Sequence, residues 1–163
     1  MKKNKLAMGY YPVFFLILIL FLFFGSSNLA QGIYIYSDAS PEAIEYLQEA
    51  VEKMEEALDT YQGANYPGRK LWTEAIDLAQ LAIEIEPDFV EAHYYLALMY
   101  QHTNWYYREA EQWNKYLSLI ERTDLTSPQV KQNLAYAYYR LGYNSYQNGD
   151  YEQSLIYFLN SVK

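Results

Sequence analysis

The sequence predicts an all-α fold built from antiparallel helix pairs, and three observations carry that prediction. Trp72, Ala75, Ile76, Ala79, Ala82 and Ile83 recur at three- and four-residue steps, opposite Glu74, Asp77, Gln80 and Glu84, which defines one apolar face of a helix. Glu86-Pro87-Asp88 then stops that helix: proline has no amide proton and disfavours helical geometry in the residue before it. The helix therefore ends at Ile85 or Glu86, and Asp88 is placed to cap a second helix from about Val90 to Gln101. The third observation is recurrence, because Trp72 and Tyr106 lie 34 residues apart and Tyr106 and Tyr151 lie 45 apart. A turn of three residues between helices forces them antiparallel, and the small residues Ala75, Ala79 and Ala82 let a neighbour approach closely.

Taken in order, the chain begins with 37 residues that contain no acid, and after Lys2, Lys3 and Lys5 no charge appears until Asp38. Val13 to Phe24 is an unbroken run of twelve apolar residues. That is short for a membrane span of about 20 residues and matches the apolar core of an export signal. Residues 1–30 are thus expected to act as a signal peptide or, through residues 8–24, as an N-terminal membrane anchor. Ala30 suits a cleavage site and Asn28 does not, whereas Gly25 and Ser27 fit the small-x-small rule but crowd the apolar core. Either fate puts the remainder outside the cytoplasm, since the lysines stay inside.

Residues 31–39 read as an extended linker, because the alternation of Ile33, Tyr34, Ile35 and Tyr36 has no partner strand elsewhere. Ser40-Pro41-Glu42 opens a helix, with serine as cap, proline in the first turn and an acid at the positive end of the dipole. Ile44, Leu47, Val51, Met54, Leu58 and Tyr61 form its apolar stripe, and residues 63–70 form an enlarged turn before Trp72. After the helix containing Tyr106 and Trp113, Thr123 to Ser127 is a polar loop. Ser127-Pro128 caps a long helix reaching about Gln147, followed by a last helix from Tyr151 to Lys163.

These elements match a repeat pattern of the form W-x2-L-G-x2-Y, A-x3-F, P at a period of 34 residues. Tyr138-x2-Leu141-Gly142-x2-Ser145 followed by Asn148-Gly149-Asp150-Tyr151 and Ser154-x3-Phe158 fits it closely. His93-x2-Leu96-Ala97-x2-Tyr100, with Tyr106 and Trp113, is a second copy in which Glu109 stands where a small residue belongs and Ala110 comes one step late. Trp72, Ala75, Ala79 and Pro87 mark a first. Over roughly residues 45–163 the chain resembles the tetratricopeptide repeat family. The resemblance implies an α-solenoid of about three helix-turn-helix repeats within residues 40–163, at approximately 41–87, 88–122 and 127–163, whose concave side binds an extended peptide or protein segment. By the same resemblance Tyr100, Tyr106, Tyr138, Tyr151 and Phe158 occupy interhelical positions.

Composition narrows the function. Cysteine is absent, which excludes disulfides and thiolate metal sites. Residues 38–91 carry fourteen acids against Lys53, Arg69 and Lys70, whereas residues 92–163 carry six of each sign, so nucleic acid is not an expected partner. The acidic helix Glu42 to Asp59 reads as a solvated face, with a cation-binding or basic-partner surface as the alternative. His93 and His102 stand nine apart, which is no zinc spacing, and His93 holds a position where the repeat packs a large residue. With neither a glycine-rich phosphate loop nor a nucleophile elbow, no enzyme, cofactor or metal site is expected.

Tyrosine is the extreme signal, at twenty of 163 residues. Tyr94, Leu98 and Gln101 form one stripe on the helix that starts near Val90; Tyr136, Tyr139, Tyr143 and Tyr146 form another on the long helix, at steps of three, four and three. By the resemblance these stripes line the concave groove. Family members that grip acidic C-terminal tails use lysine and asparagine there, and here those places hold Tyr94, Leu98, Tyr139 and Tyr143. Such a groove favours an extended peptide with apolar or proline side chains, in a scaffold or assembly factor outside the cytoplasm. A glycan whose sugar faces stack on the same rings is the alternative ligand. On the last helix Leu155, Leu159 and Val162 leave an apolar face uncovered, so that either further repeats follow or two copies pair there.

Overall fold

The computed structural model describes residues 33–60, 69–122 and 127–163. Its helices are α1 (Pro41–Thr60), α2 (Arg69–Ile85), α3 (Val90–His102), α4 (Tyr106–Ile120), α5 (Pro128–Gln147) and α6 (Tyr151–Ser161), and no strand occurs among the described residues. Each odd-numbered helix packs most closely on the next even one. Weaker contacts join α2 to α3 and α4 to α5, and α1 also touches α3. The compact unit runs from Tyr34 to Lys163. The lysine-led apolar segment of residues 1–30, Tyr61 of the first stripe, residues 63–68 of the enlarged turn and residues 123–126 of the polar loop lie outside the described residues, and Arg69 and Lys70, expected in that turn, open α2 instead.

The helix boundaries follow from local chemistry. Ser40 Oγ accepts from the Ala43 amide at 3.3 Å and Ser127 Oγ from that of Val130 at 3.2 Å, each satisfying one of the free donors of a first turn. Asp150 does the same for Gln153 at 3.2 Å. The turn after α2 departs from the sequence expectation. Asp88 is not a cap: its carboxylate meets Lys115 Nζ at 3.0 Å, and the position before α3 is taken by Phe89, which is fully buried and has no side-chain cap. Burying an aromatic ring outweighs one capping bond of about 1 kcal/mol. His93 secures the same turn. One of its ring nitrogens bonds the Pro87 carbonyl at 3.0 Å and the other meets the Gln112 side-chain amide at 2.7 Å, so it is a buried packing residue.

The turns after α3 and α5 are built alike. Asn104 (φ 59°) and Gly149 (φ 81°) both adopt the left-handed conformation, which asparagine and glycine tolerate best. The amide two helix turns' ends share is also alike: Trp105 donates to the Tyr100 carbonyl and Asp150 to that of Ser145, each at 2.9 Å.

Small residues set how closely the pairs approach. Ala43, Ala50 and Ala57 of α1 join Leu47, Val51 and Met54 in the buried face, opposite Ala75, Ile76, Ala79 and Ala82 of α2. The expected stripe is therefore rotated, with Ile44 and Leu58 half-buried at its flank. In the last pair a methyl group placed on Gly142 would meet the Phe158 ring at 2.8 Å, and Ser154 Oγ donates to the Gly142 carbonyl at 2.8 Å. Tyr106 and Tyr151, expected between helices, are exposed instead. Both stand at the first position of a helix: the Tyr106 hydroxyl donates back to Asn104 Oδ1 at 2.9 Å, and the Tyr151 ring rests on exposed Tyr146 at 5.5 Å.

Candidate functional site

The tyrosine stripes meet around Trp113. This indole is fully buried, with the rings of Tyr94, Tyr136 and Tyr116 at 5.4, 5.9 and 6.1 Å in steep, mostly edge-on orientations, the geometry that aromatic quadrupoles favour. Trp113 Nε1 donates to Glu109 Oε1 at 3.0 Å. Arg140 of α5 closes on the same carboxylate from the far side, Nε to Oε1 at 2.7 Å and an Nη nitrogen to Oε2 at 3.0 Å. Glu109, the residue that broke the small-residue rule, is thus a 0 %-exposed anion held by a two-pronged cation. Its signal in the sequence was the mismatch itself; nothing there named Arg140 as the partner.

Each residue of the expected stripes has a distinct place. Tyr94 and Leu98 are half-buried against this aromatic cluster. Gln101 Oε1 accepts from the Tyr136 hydroxyl at 2.9 Å, and this bond ties α3 to α5. Tyr143 is half-buried with the Arg140 guanidinium 5.2 Å above its ring. Tyr139 is 46 % exposed and lies between Tyr136 and Phe158. Tyr146 is exposed and leans on Tyr151, away from the cluster. Six of the seven therefore form or border one face shared by α3 and α5, and Tyr146 stands at its far end.

A residue that sequence reasoning missed completes this face. Glu91, in the first turn of α3, is 1 % exposed. Its carboxylate accepts the Tyr36 amide, the Ser37 amide at 2.9 Å and the Ser37 hydroxyl. The Tyr36 ring packs with the cluster, and its hydroxyl donates toward that of Tyr116 at 3.4 Å. Residues 33–39 form no strand, as expected, but they bend at Ser37 and are seated on α3 rather than free of it. The missed signal was spacing: Glu91, Tyr94, Leu98 and Gln101 run at steps of three, four and three, the same rhythm as the α5 stripe.

Burial pushes the hydroxyls of Tyr36, Tyr94 and Tyr95 well above the usual tyrosine value, and pushes that of Tyr116 up to about 12. All remain protonated donors at neutral pH. Among the described residues no group of three potential metal ligands occurs, and no helix is long and apolar enough to cross a membrane. Leu155, Leu159 and Val162 are exposed on α6, with Ile156 beside them. No protein-family model matches the chain, and no curated protein matches it.

Proposed function

We propose that residues 41–163 are three tetratricopeptide-like helix pairs stacked as an α-solenoid, and that the chain is an interaction module outside the cytoplasm which binds an extended peptide. The repeat reading draws support from the matched left-handed turns at Asn104 and Gly149 and from the Gly142–Phe158 approach that the repeat pattern requires. The export reading rests on the lysine-led apolar segment alone. One observation carries the binding reading: the face shared by α3 and α5 is lined with tyrosine rings and already holds a stretch of unpaired chain at Glu91. Rings with one apolar side and one hydroxyl suit an extended backbone with apolar side chains.

Selection from a displayed library of extended peptides tests this. Ligands so obtained should lose about tenfold or more in affinity to the variant Tyr139→Ala with Tyr143→Ala, with thermal stability nearly unchanged. Equal loss of stability would make these rings packing residues. Enrichment of no peptide, together with capture of cell-wall or capsular polysaccharide, would favour the glycan alternative.

A further inference from the structure

We infer that Glu91 is the centre of a peptide-recognition site whose ligand is an unpaired, bent segment bearing an aromatic residue followed by serine or threonine, and that the chain's own Tyr36-Ser37 fills it as an internal ligand. This deepens the groove reading above and rests on it.

The donors around Glu91 define the ligand. A carboxylate that is 1 % exposed requires compensation, and among the described residues Glu91 has no cationic partner. Its compensation comes from two successive backbone amides and one hydroxyl, all from residues 36 and 37. Successive amides of extended chain point to opposite sides, so two of them reach one carboxylate only where the backbone bends, as it does at Ser37, and the site selects unpaired chain with such a bend. The hydroxyl bond selects serine or threonine at the second position. At the first, the ring enters the aromatic cluster with its hydroxyl toward Tyr116. An acidic side chain at either position would face the buried carboxylate and be repelled.

The seated segment has the properties of a ligand rather than of a structural strand. Among the described residues the backbone of 33–39 makes no hydrogen bond to any other backbone. Its polar hold is the Glu91 carboxylate, the hydroxyl of Tyr116 and the side chain of Asn133. Such a hold is exchangeable: a partner segment of the same chemistry offers Glu91 identical bonds, and the internal segment weakens that partner by competing for the site.

The test uses the full chain in detergent micelles and a fluorescein-labelled synthetic peptide spanning residues 33–39, read by anisotropy. The variant Tyr36→Ala with Ser37→Pro, which removes the ring, one amide and the hydroxyl, should bind the probe at least about tenfold more tightly than the unmodified chain. Adding Glu91→Gln should abolish that gain. A release variant that binds no more tightly, or a gain that survives Glu91→Gln, overturns the proposal. Should the release variant lose helicity, hydrogen exchange on the otherwise unmodified chain decides: Glu91→Gln must unprotect the amides of Tyr36 and Ser37 while α5 stays protected, and retained protection overturns the proposal. Adding Tyr139→Ala and Tyr143→Ala to the release variant separates the two readings. Probe binding that needs Glu91 but ignores these rings removes the stripe reading and keeps the Glu91 site. Binding that needs the rings but not Glu91 does the reverse.

Discussion

Helices α4 and α6 each close a hairpin and stand 45 residues apart in the chain, yet they are buried very differently. α4 buries Glu109, Trp113, Tyr116, Leu117, Leu119 and Ile120, whereas α6 buries only Ser154. Neighbours explain part of this: α4 packs on α3 and on α5, whereas among the described residues α6 packs on α5 and reaches α4 through Tyr157, whose hydroxyl lies 3.5 Å from Asn114 Oδ1. Val162 takes the place of Leu117 and is 80 % exposed against 7 %. Composition explains the rest. Ile156 and Leu159 stand where α4 carries the exposed polar residues Glu111 and Asn114. A helix covered as α4 is covered would not need apolar residues at those two places. The comparison therefore teaches that α6 is not a copy of α4 lacking its neighbour; its outer side is more apolar than stacking another hairpin requires.

The largest expected effect separates the two helices at their matched small-residue position. Arg140→Met removes the cation from a buried carboxylate and should destabilise the domain by about 3 to 5 kcal/mol in chemical denaturation. Ser154→Ala, at the matching place in α6, removes one neutral hydrogen bond and should cost about 1 kcal/mol. Equal costs would erase the contrast. Close approach comes next. Gly142→Ala forces the Phe158 ring aside and Ala75→Leu overpacks the α1–α2 contact, each at about 1 to 3 kcal/mol. A neutral Ala75→Leu would mean that the first hairpin is looser than its six buried alanines imply. The smallest effect on stability belongs to the outer face of α6. Leu155→Glu with Leu159→Glu should shift stability within about 0.5 kcal/mol. If a second copy covers this face, light scattering should show a dimer for the unmodified chain and a monomer for the variant. A monomer in both at about 100 micromolar would mean that no copy of this chain pairs there.

Legibility in the sequence followed how local the cause was. Ser127-Pro128 fixed the start of α5, and Asn148-Gly149-Asp150 its end, because caps and left-handed turns are set by one or two residues. The α1 stripe was harder. Ala43, Ala50 and Ala57 are as consistent with an exposed helix surface as with a buried one, so the larger Ile44 and Leu58 drew the face toward themselves. Tyr106 and Tyr151 matched a repeat position whose usual burial depends on what lies beyond the helix end, which no pattern within one hairpin contains. Of the site, the rings and their spacing were legible. The two carboxylates were not, because a buried glutamate is recognised by its partner, and here the partners lie 31 residues later for Glu109 and 54 to 55 residues earlier for Glu91.

The Glu109–Arg140 pair also bears on how the chain finds this arrangement. Aromatic faces such as those of Trp113, Tyr136 and Tyr138 are forgiving, and a hairpin could slide along them by one residue and still satisfy most of its apolar contacts. The ion pair is not forgiving: a shift of one residue turns Arg140 away and leaves Glu109 alone against the indole. Stranding such a charge costs several kcal/mol. An alignment of α5–α6 on α4 that keeps this ion pair is thus favoured over one shifted by a residue, a discrimination that the aromatic contacts alone do not supply.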